Sequence, residues 1–524
     1  MSRPAEMPEI VIDEAMISID EVVTFAFRAD TRLSVGPGSE ARVRASHQKM
    51  QVWLEGEEPI YGVTTGFGDS SKRRLPAAQS ELLQRNLVSY LLCGAGPTLS
   101  PAAVRALAFA RLVSLTRGFS GVSWELVESL SGLLNRDWLP AIPREGSLGA
   151  SGDLIPLAYL ARAVQGEGEV MTSQGPTPLA TLLAREGLKG HYLKPKEGLA
   201  LVNGTSAMTG LAAVNWAEAR FVVETSIVAT SWLCLALEGR ADAFGPLVNE
   251  SAKHFSGQAR VAKRITSLLQ EEAYVAPARR ATEHIQDRYS LRCTPQILGP
   301  VVDTLTVVRE WVERELNSAS DNPLISPSGE TAMGGNFYGG YLSQGMDYLK
   351  ISLGHVADLI DRQIALVIDE KTNRGLSPNL ASWETLPESE RFLHHGLKGL
   401  HQAVSAMTSE LLSRTMPSGV FSRSTESHNQ DKVSLGMSAA VVAADMIEVL
   451  YRITAMQLAC LAQALDLRHI SLRGGTASQL YKLVRQHVPF VERDRALDEN
   501  IQSLTRALHE CARERGKWFD DEST

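Results

Sequence analysis

The chain has 524 residues, 44% hydrophobic and 21% charged, a balance that excludes disordered, collagen-like and disulfide-scaffold classes and a length that buries a core without staples. Acidic residues outnumber basic ones, 60 against 52, for a net charge of −8; nucleic-acid and membrane-surface binders would want a basic excess instead. The five cysteines (Cys93, Cys234, Cys293, Cys460, Cys511) are scattered and odd in number, which predicts free thiols in a reducing, cytoplasmic compartment.

At about 150 residues per domain the length fits three to four domains or one large helical body. The first residues, MSRPAEMPEIVIDE, are interrupted by acids, so no signal peptide is expected. Residues 1–60 mix short apolar runs with polar stretches. Tyr61-Gly-Val-Thr-Thr-Gly-Phe-Gly68 follows, and reads equally as a turn cluster or as a mobile lid. Ser100-Pro101 predicts a helix start and Gly118 its stop. Between them Val104, Leu107, Ala108, Leu112 and Leu115 recur at helical spacing. Prolines and glycines are expected to hold Pro140–Leu160 out of regular structure, and 170–200 has the punctuation of a small hairpin.

From residue 200 onward, long helical patterns dominate, over 205–240, 300–318, 341–370, 390–415 and 432–466. Thr225–Leu237, between Glu224 and Glu238, offers thirteen uncharged residues. That is too few to span a bilayer and predicts a buried core helix. The Arg-, Asp- and Glu-rich tail Val491–Gly516 has apolar residues three and four apart, as a solvated helix would. The expectation is a mainly α fold, a long-helix bundle over 201–524 with a smaller mixed N-terminal domain over 1–200.

Standard cofactor signatures are missing. There is no G-x-x-x-x-G-K-[ST]. Gly146, Gly149 and Gly152 do not form G-x-G-x-x-G, and no H-E-x-x-H occurs. The doublet His394-His395 has no acidic or cysteine partners at ligand spacing, so no metal is assigned. The segment that asks for an explanation is Gly146-Ser-Leu-Gly-Ala-Ser-Gly-Asp153. Its plain reading is a helix N-terminus capped by Ser151 or Asp153. Its chemical reading is an internal cyclisation. The Gly152 nitrogen attacks the Ala150 carbonyl, and loss of two waters leaves an imidazolone whose exocyclic methylene was the Ser151 Cβ. That needs a small first residue, a hydroxyl that can leave, an unhindered nitrogen and a strained turn.

On these residues the sequence resembles the aromatic amino-acid ammonia-lyases and aminomutases, which carry a self-made 4-methylideneimidazole-5-one (MIO). Matching blocks run from about residue 55 to 470. Besides the loop and the Ala-Ser-Gly segment they are Leu201-Val-Asn-Gly-Thr-Ser-Ala-Met208, Gln286-Asp-Arg-Tyr-Ser-Leu-Arg292, Asn317-Ser-Ala-Ser-Asp-Asn-Pro323, Gly334-Gly-Asn-Phe337 and His428-Asn-Gln-Asp431. The resemblance implies a histidine ammonia-lyase/fumarase-like helical fold, with the MIO loop in the N-terminal domain. It implies an MIO formed from Ala150, Ser151 and Gly152, no external cofactor, an aromatic amino acid as substrate, and a homotetramer with shared active sites. Tyr61 is implied as the base for the β-proton. A phenol of ordinary pKa ~10 would need depressing by positive potential such as helix N-termini, and the activity optimum would be alkaline. Arg292 is implied to clamp the substrate carboxylate; Asn203 and Tyr289 are implied to bond near the MIO ring, Tyr289 serving a neighbour's. Gly68, Phe337, Asn429 and Gln430 match site-lining positions, Glu426 one that faces the amine, and Asp153 one that shapes the turn.

Selectivity is implied to lie at Tyr90-Leu91. Leu91 argues against histidine, whose ring would lose a polar partner. Tyr90 either bonds a ring hydroxyl, favouring tyrosine or a dihydroxy analogue, or fills space, favouring phenylalanine. An ammonia-lyase is expected; the alternatives are an aminomutase, a histidine ammonia-lyase, and a helical scaffold that has lost its chemistry.

Overall fold

The structure, a computed structural model, describes residues 8–172, 175–278 and 285–514; residues 1–7 and 515–516, on which the signal-peptide and tail readings partly rest, lie outside the described residues. The fold is mainly α: long helices form a bundle, and a smaller N-terminal region holds helices and short strands. The longest are Ser206–Ala236, Thr294–Leu316, Gly340–Ile368 and Gly436–Leu467. Contacts divide the chain into two compact units. The first holds Met1–Asn215, Val308–Asp347 and Pro417–Val442; the second holds Trp216–Val307, Tyr348–Met416 and Ala443–Thr524. This grouping follows the returns of the long helices, whereas the sequence suggested one cut near residue 200.

In the first unit, Glu9–Ile12 and Arg32–Val35 pair in parallel, Glu9 opposite Arg32. Ser18 opens the helix Ile19–Phe27 with a capping box: its hydroxyl takes the Glu21 amide, and Glu21 returns a carboxylate to the Ser18 amide. Phe25 from that helix meets Phe109 with ring centroids 5.2 Å apart. Phe109 belongs to Pro101–Thr116, whose start and stop are as the sequence predicts: Ser100 caps it, and Gly118 follows at φ 77°. The expected hairpin is Glu169–Thr172 against Gly175–Pro178. One expectation fails. A helix, Leu154–Val164, begins inside the stretch read as irregular; Pro156 is tolerated because first-turn amides need no helical partner.

In the second unit buried glutamines tie the bundle. Gln363 Nε2 donates to Thr230 Oγ1 at 3.0 Å and to the Ser290 carbonyl at 2.9 Å, and Gln457 donates to Gln363 Oε1 at 2.7 Å. The helix Ser206–Ala236 has 31 residues and is long and apolar enough to cross a membrane, although all of its most apolar window is buried. The thirteen-residue estimate fell short because Glu224 sits inside this helix, fully buried. Burial pushes its carboxyl up to about 7. The tail helix, Asp498–Arg513, buries Ile501, Leu504, Ala507, Leu508 and Cys511 along one face.

Candidate active site

Ala150, Ser151 and Gly152 form a tight turn between the strand Pro143–Glu145 and the helix Leu154–Val164. Ser151 and Gly152 both lie in the left-handed region, at φ 57° and 79°, a conformation that costs a residue with a Cβ roughly 1 kcal/mol or more. Close packing fixes the glycines. A Cβ on Gly152 would stand 2.2 Å from the Gly204 carbonyl oxygen, and one on Gly149 would stand 2.4 Å from Ser434 Oγ. The Asp153 amide donates to the same Gly204 carbonyl at 2.8 Å. Two side-chain amides then hold Ser151. Asn203 Nδ2 donates to its carbonyl at 2.8 Å, and Gln430 Nε2 donates to its hydroxyl at 3.2 Å. Asn203 Oδ1 is buried without a hydrogen-bond partner. Small residues, left-handed backbone and a carbonyl gripped by an amide fit a tripeptide set up for cyclisation between Ala150 and Gly152.

Asp153 stands at the cap position, but its side chain does not bond its own helix. Its carboxylate instead accepts from Ser147 Oγ and from the Met208 amide, each at 2.8 Å. It thereby ties the turn to the start of the helix Ser206–Ala236, and burial pushes its carboxyl up to about 6. Beside it lie residues the sequence reading passed over. Arg111 is fully buried and donates to the Ala200 carbonyl and to Ser206 Oγ. Burial draws its pKa down to about 10, against Asp321 and Asp153, which raise it. Lys196, at φ 78°, grips Asp321 through two contacts of 2.7 and 2.9 Å. A charge inside an otherwise apolar helical run was the available signal for Arg111; Lys196 carries none.

The loop Tyr61–Gly68 is anchored from below. Gln84, buried, donates to the Gly62 carbonyl and accepts from the Leu199 amide, each at 2.8 Å. The Gly68 amide donates to the Tyr61 hydroxyl at 2.9 Å. Gly68, at φ 52°, has no room for a side chain: a Cβ there would stand 1.7 Å from Glu426 Oε1. Glu426, Ser427 and His428 run consecutively through the left-handed region at φ 54°, 52° and 65°. The Thr425 and Gln430 backbones close this loop with paired hydrogen bonds, and Asn429 Nδ2 donates to Glu426 Oε2 at 3.0 Å. Ser427 Oγ reaches back to Asp69 at 3.1 Å.

The electrostatics of Tyr61 correct the expectation of a depressed phenol. Burial foremost, and then the Glu426 charge, raise its pKa; only the Gly68 amide pulls it down. Tyr90 is 60% exposed. Desolvation around its hydroxyl, with the Glu426 and Tyr61 charges, nonetheless pushes it up to about 12. Leu91 is buried at the end of the helix Ser80–Tyr90. Phe337 lies in the single turn Asn336–Tyr338; a Cβ on the following Gly339 would stand 2.4 Å from Met208 Sδ.

The first unit thus brings Tyr61, Gly68, Tyr90, Glu426 and Asn429 to one cluster, and Gln430, Ser151 and Asn203 to an adjoining one. Tyr289 and Arg292 belong to the second unit, on the one-turn helix Tyr289–Arg292. The Arg292 guanidinium lies over the Tyr289 ring, 4.8 Å from its centroid, and its Nε is buried without a partner. Tyr289 is 70% exposed.

The family model for aromatic amino acid lyases matches residues 17–486. The histidine ammonia-lyase of Gloeobacter violaceus is 34% identical over 501 residues, 95% of this chain and 95% of its own length. The tyrosine ammonia-lyase of Cereibacter sphaeroides is 36% identical over 530 residues, 97% of this chain and 98% of its own. The crystal structure of tyrosine aminomutase from Streptomyces globisporus superposes with a TM-score of 0.90 at 32% identity, covering 97% of this chain and 98% of that one.

Proposed function

The chain belongs to the aromatic amino acid lyase family, and we propose that within it the protein eliminates ammonia from tyrosine or phenylalanine to give a trans-cinnamic-type acid. Its general chemistry is that of ammonia-lyases and aminomutases acting on aromatic amino acids. The Ala150-Ser151-Gly152 turn carries the chemistry of amine elimination, and buried Leu91 the choice of ring. Once formed from these residues, an MIO supplies an electrophile that converts an amine into a leaving group.

The chain's own side chains do the rest. Tyr61 takes the β-proton as the phenolate and becomes the neutral phenol; the Gly68 amide, 2.9 Å from its oxygen, stabilises the phenolate before the transfer. Glu426 lies beside Gly68 and suits an ammonium or a departing amine. Arg292 offers a buried donor with no partner of its own, suited to the substrate carboxylate. Asn203 and Gln430 hold Ser151. Buried Leu91 gives an imidazole no polar partner, which favours a carbocyclic ring over histidine. Elimination is the step that lyase and mutase share; the mutase adds a return of the amine to the β-carbon.

Two measurements test this. The mature chain should weigh ~36 Da less than its sequence, the mass of two waters, and the Ser151→Ala variant should keep its full mass and lose turnover. Offered phenylalanine, tyrosine, 3,4-dihydroxyphenylalanine and histidine, the enzyme should release cinnamates. An intact serine hydroxyl in active protein sinks the proposal. A β-amino acid as the main early product replaces the lyase with a mutase, and urocanate replaces the substrate.

A further inference from the structure

The second unit contains a cleft of about 650 Å³ lined by Leu400, Arg452, Met456, Arg495, Ile501 and Arg506, with Glu448, Asp498 and His509 on its walls. Its size is that of a small-molecule site. Regular spacing builds it. Glu448, Arg452 and Met456 recur every four residues along Gly436–Leu467, and Asp498, Ile501, Gln502, Thr505, Arg506 and His509 line one face of Asp498–Arg513. Gly396, Gly399 and Leu400 bring in the N-terminus of the helix Lys398–Ser413, which has no side-chain cap.

Its charges are uneven. Arg495 is occupied by the Asn500 side chain at 2.6 Å and the Pro489 carbonyl at 3.1 Å. Arg452 and Arg506 are exposed and reach no hydrogen bond among the described residues. His509 stacks on Tyr451 at 3.7 Å and turns Nδ1 to Glu218 at 3.2 Å, while its buried Nε2 has no hydrogen bond, Glu448 standing 3.6 Å away. Burial opposes its charge, yet the Glu218 and Glu448 carboxylates outweigh it and hold the imidazolium up to about 9. With His509 answered by Glu218, three arginines face the acids Glu448 and Asp498 across a floor of Leu400, Met456, Leu497 and Ile501. An uncharged ligand would leave the excess cation unpaired, and a polyanion would strand its charge on the apolar floor.

We propose that this cleft binds an aryl carboxylate, the ring on the apolar floor and the carboxylate between Arg452 and Arg506, as a second site apart from the Ser151 turn. The choice of ligand rests on the product class proposed above; the charge and shape of the cleft do not. An arylacrylate would then meet the enzyme twice, and its accumulation would be sensed at the second unit.

Calorimetric titration of the intact enzyme with trans-cinnamate and 4-hydroxycinnamate tests this. Two classes of site are expected. The double variant Arg452→Ala/Arg506→Ala should lose one class at least ten-fold in affinity while turnover without added product stays as in the wild type. Thr505→Trp, which fills the cleft and keeps both arginines, should lose the same class. Arg292→Ala should lose only the other. A single class abolished by Arg292→Ala overturns the second site and leaves the proposed reaction standing. Should the enzyme form no cinnamate, binding lost in the cleft variants still supports the site. No binding of either acid overturns it, and so does a fall in oligomeric mass of the double variant, because the cleft would then be covered by another copy of the chain.

Discussion

Tyr61 faces opposing demands. As a base it must lose its proton, yet burial and the Glu426 carboxylate hold the proton on. The Gly68 amide offsets this in part, since a donor 2.9 Å from the oxygen favours the phenolate. Activity should therefore climb with pH well past neutrality, following the deprotonated fraction. Replacing Glu426 by Gln removes a negative charge that raises the Tyr61 pKa, so the rising limb of kcat/KM should move to lower pH. A limb that stays in place, or moves up, refutes the pairing. Tyr61→Phe, which keeps the ring and loses the hydroxyl, should reduce kcat by about 10²–10⁴ with little change in product affinity. A second residue-scale test concerns space. The Cβ of Gly152→Ala would stand 2.2 Å from a backbone oxygen, so this variant should retain its full linear mass, as measured on the intact chain.

At the same scale, what the sequence revealed depended on distance along the chain. Ser100, Pro101 and Gly118 announce a helix because a cap is made by its immediate neighbours. The Ala150-Ser151-Gly152 turn announces itself because small residues crowd where a single glycine would do. The left-handed run at Glu426 does not, because it answers to Gly68 and to Asp69, the latter 358 positions away from Ser427. The direction of the Tyr61 shift was hidden for the same reason: burial raises it most and the Glu426 charge adds to it, and spacing discloses neither.

Among elements, ionic ties between distant segments set the pH and stability behaviour. The helix Asp498–Arg513 docks with His509 between Glu218 and Glu448, its ring on Tyr451, its side chain 13% exposed. Its pKa rises from an ordinary 6.5 to about 9, so the folded chain holds this proton more tightly than the unfolded one. The contribution is whole below pH 6.5, fades through the interval and is gone above about 9; its upper size is about 3 kcal/mol. Thermal unfolding of the wild type should fall in temperature across that interval, and His509→Gln should flatten the fall. An unchanged slope would show that the carboxylates do not hold the imidazolium. In the first unit Lys196 and Asp321 are both fully buried, 125 positions apart. Removing one partner strands the other charge and should cost about 3–5 kcal/mol. Lys196→Met should therefore lower the unfolding temperature more than the double variant Lys196→Met/Asp321→Asn, which removes the pair together and leaves Arg111 with Asp153 as its counter-charge.

At the scale of the whole molecule the division of labour between the two units bears on assembly. Tyr61 and the Ser151 turn belong to the first unit, Tyr289 and Arg292 to the second. Tyr289 is 70% exposed, an unusual setting for a residue assigned to ring chemistry. It makes sense if the hydroxyl is offered to another copy of the chain in a closed homo-oligomer. Mixing inactive variants distinguishes this from a site completed within one chain. Tyr61→Phe and Tyr289→Phe are each expected to be nearly inactive alone. If each site draws Tyr61 from one copy and Tyr289 from another, random co-assembly gives both intact residues to about a quarter of the sites. Co-expressed, differently tagged variants purified through both tags should then recover activity near that fraction. If both tyrosines of a site come from the same chain, every mixed site lacks one of them and no activity returns. A recovery near a quarter places an assembly of copies, rather than the folded chain, as the smallest unit that can turn over substrate, and dilution below the assembly threshold should then abolish activity before it unfolds the protein.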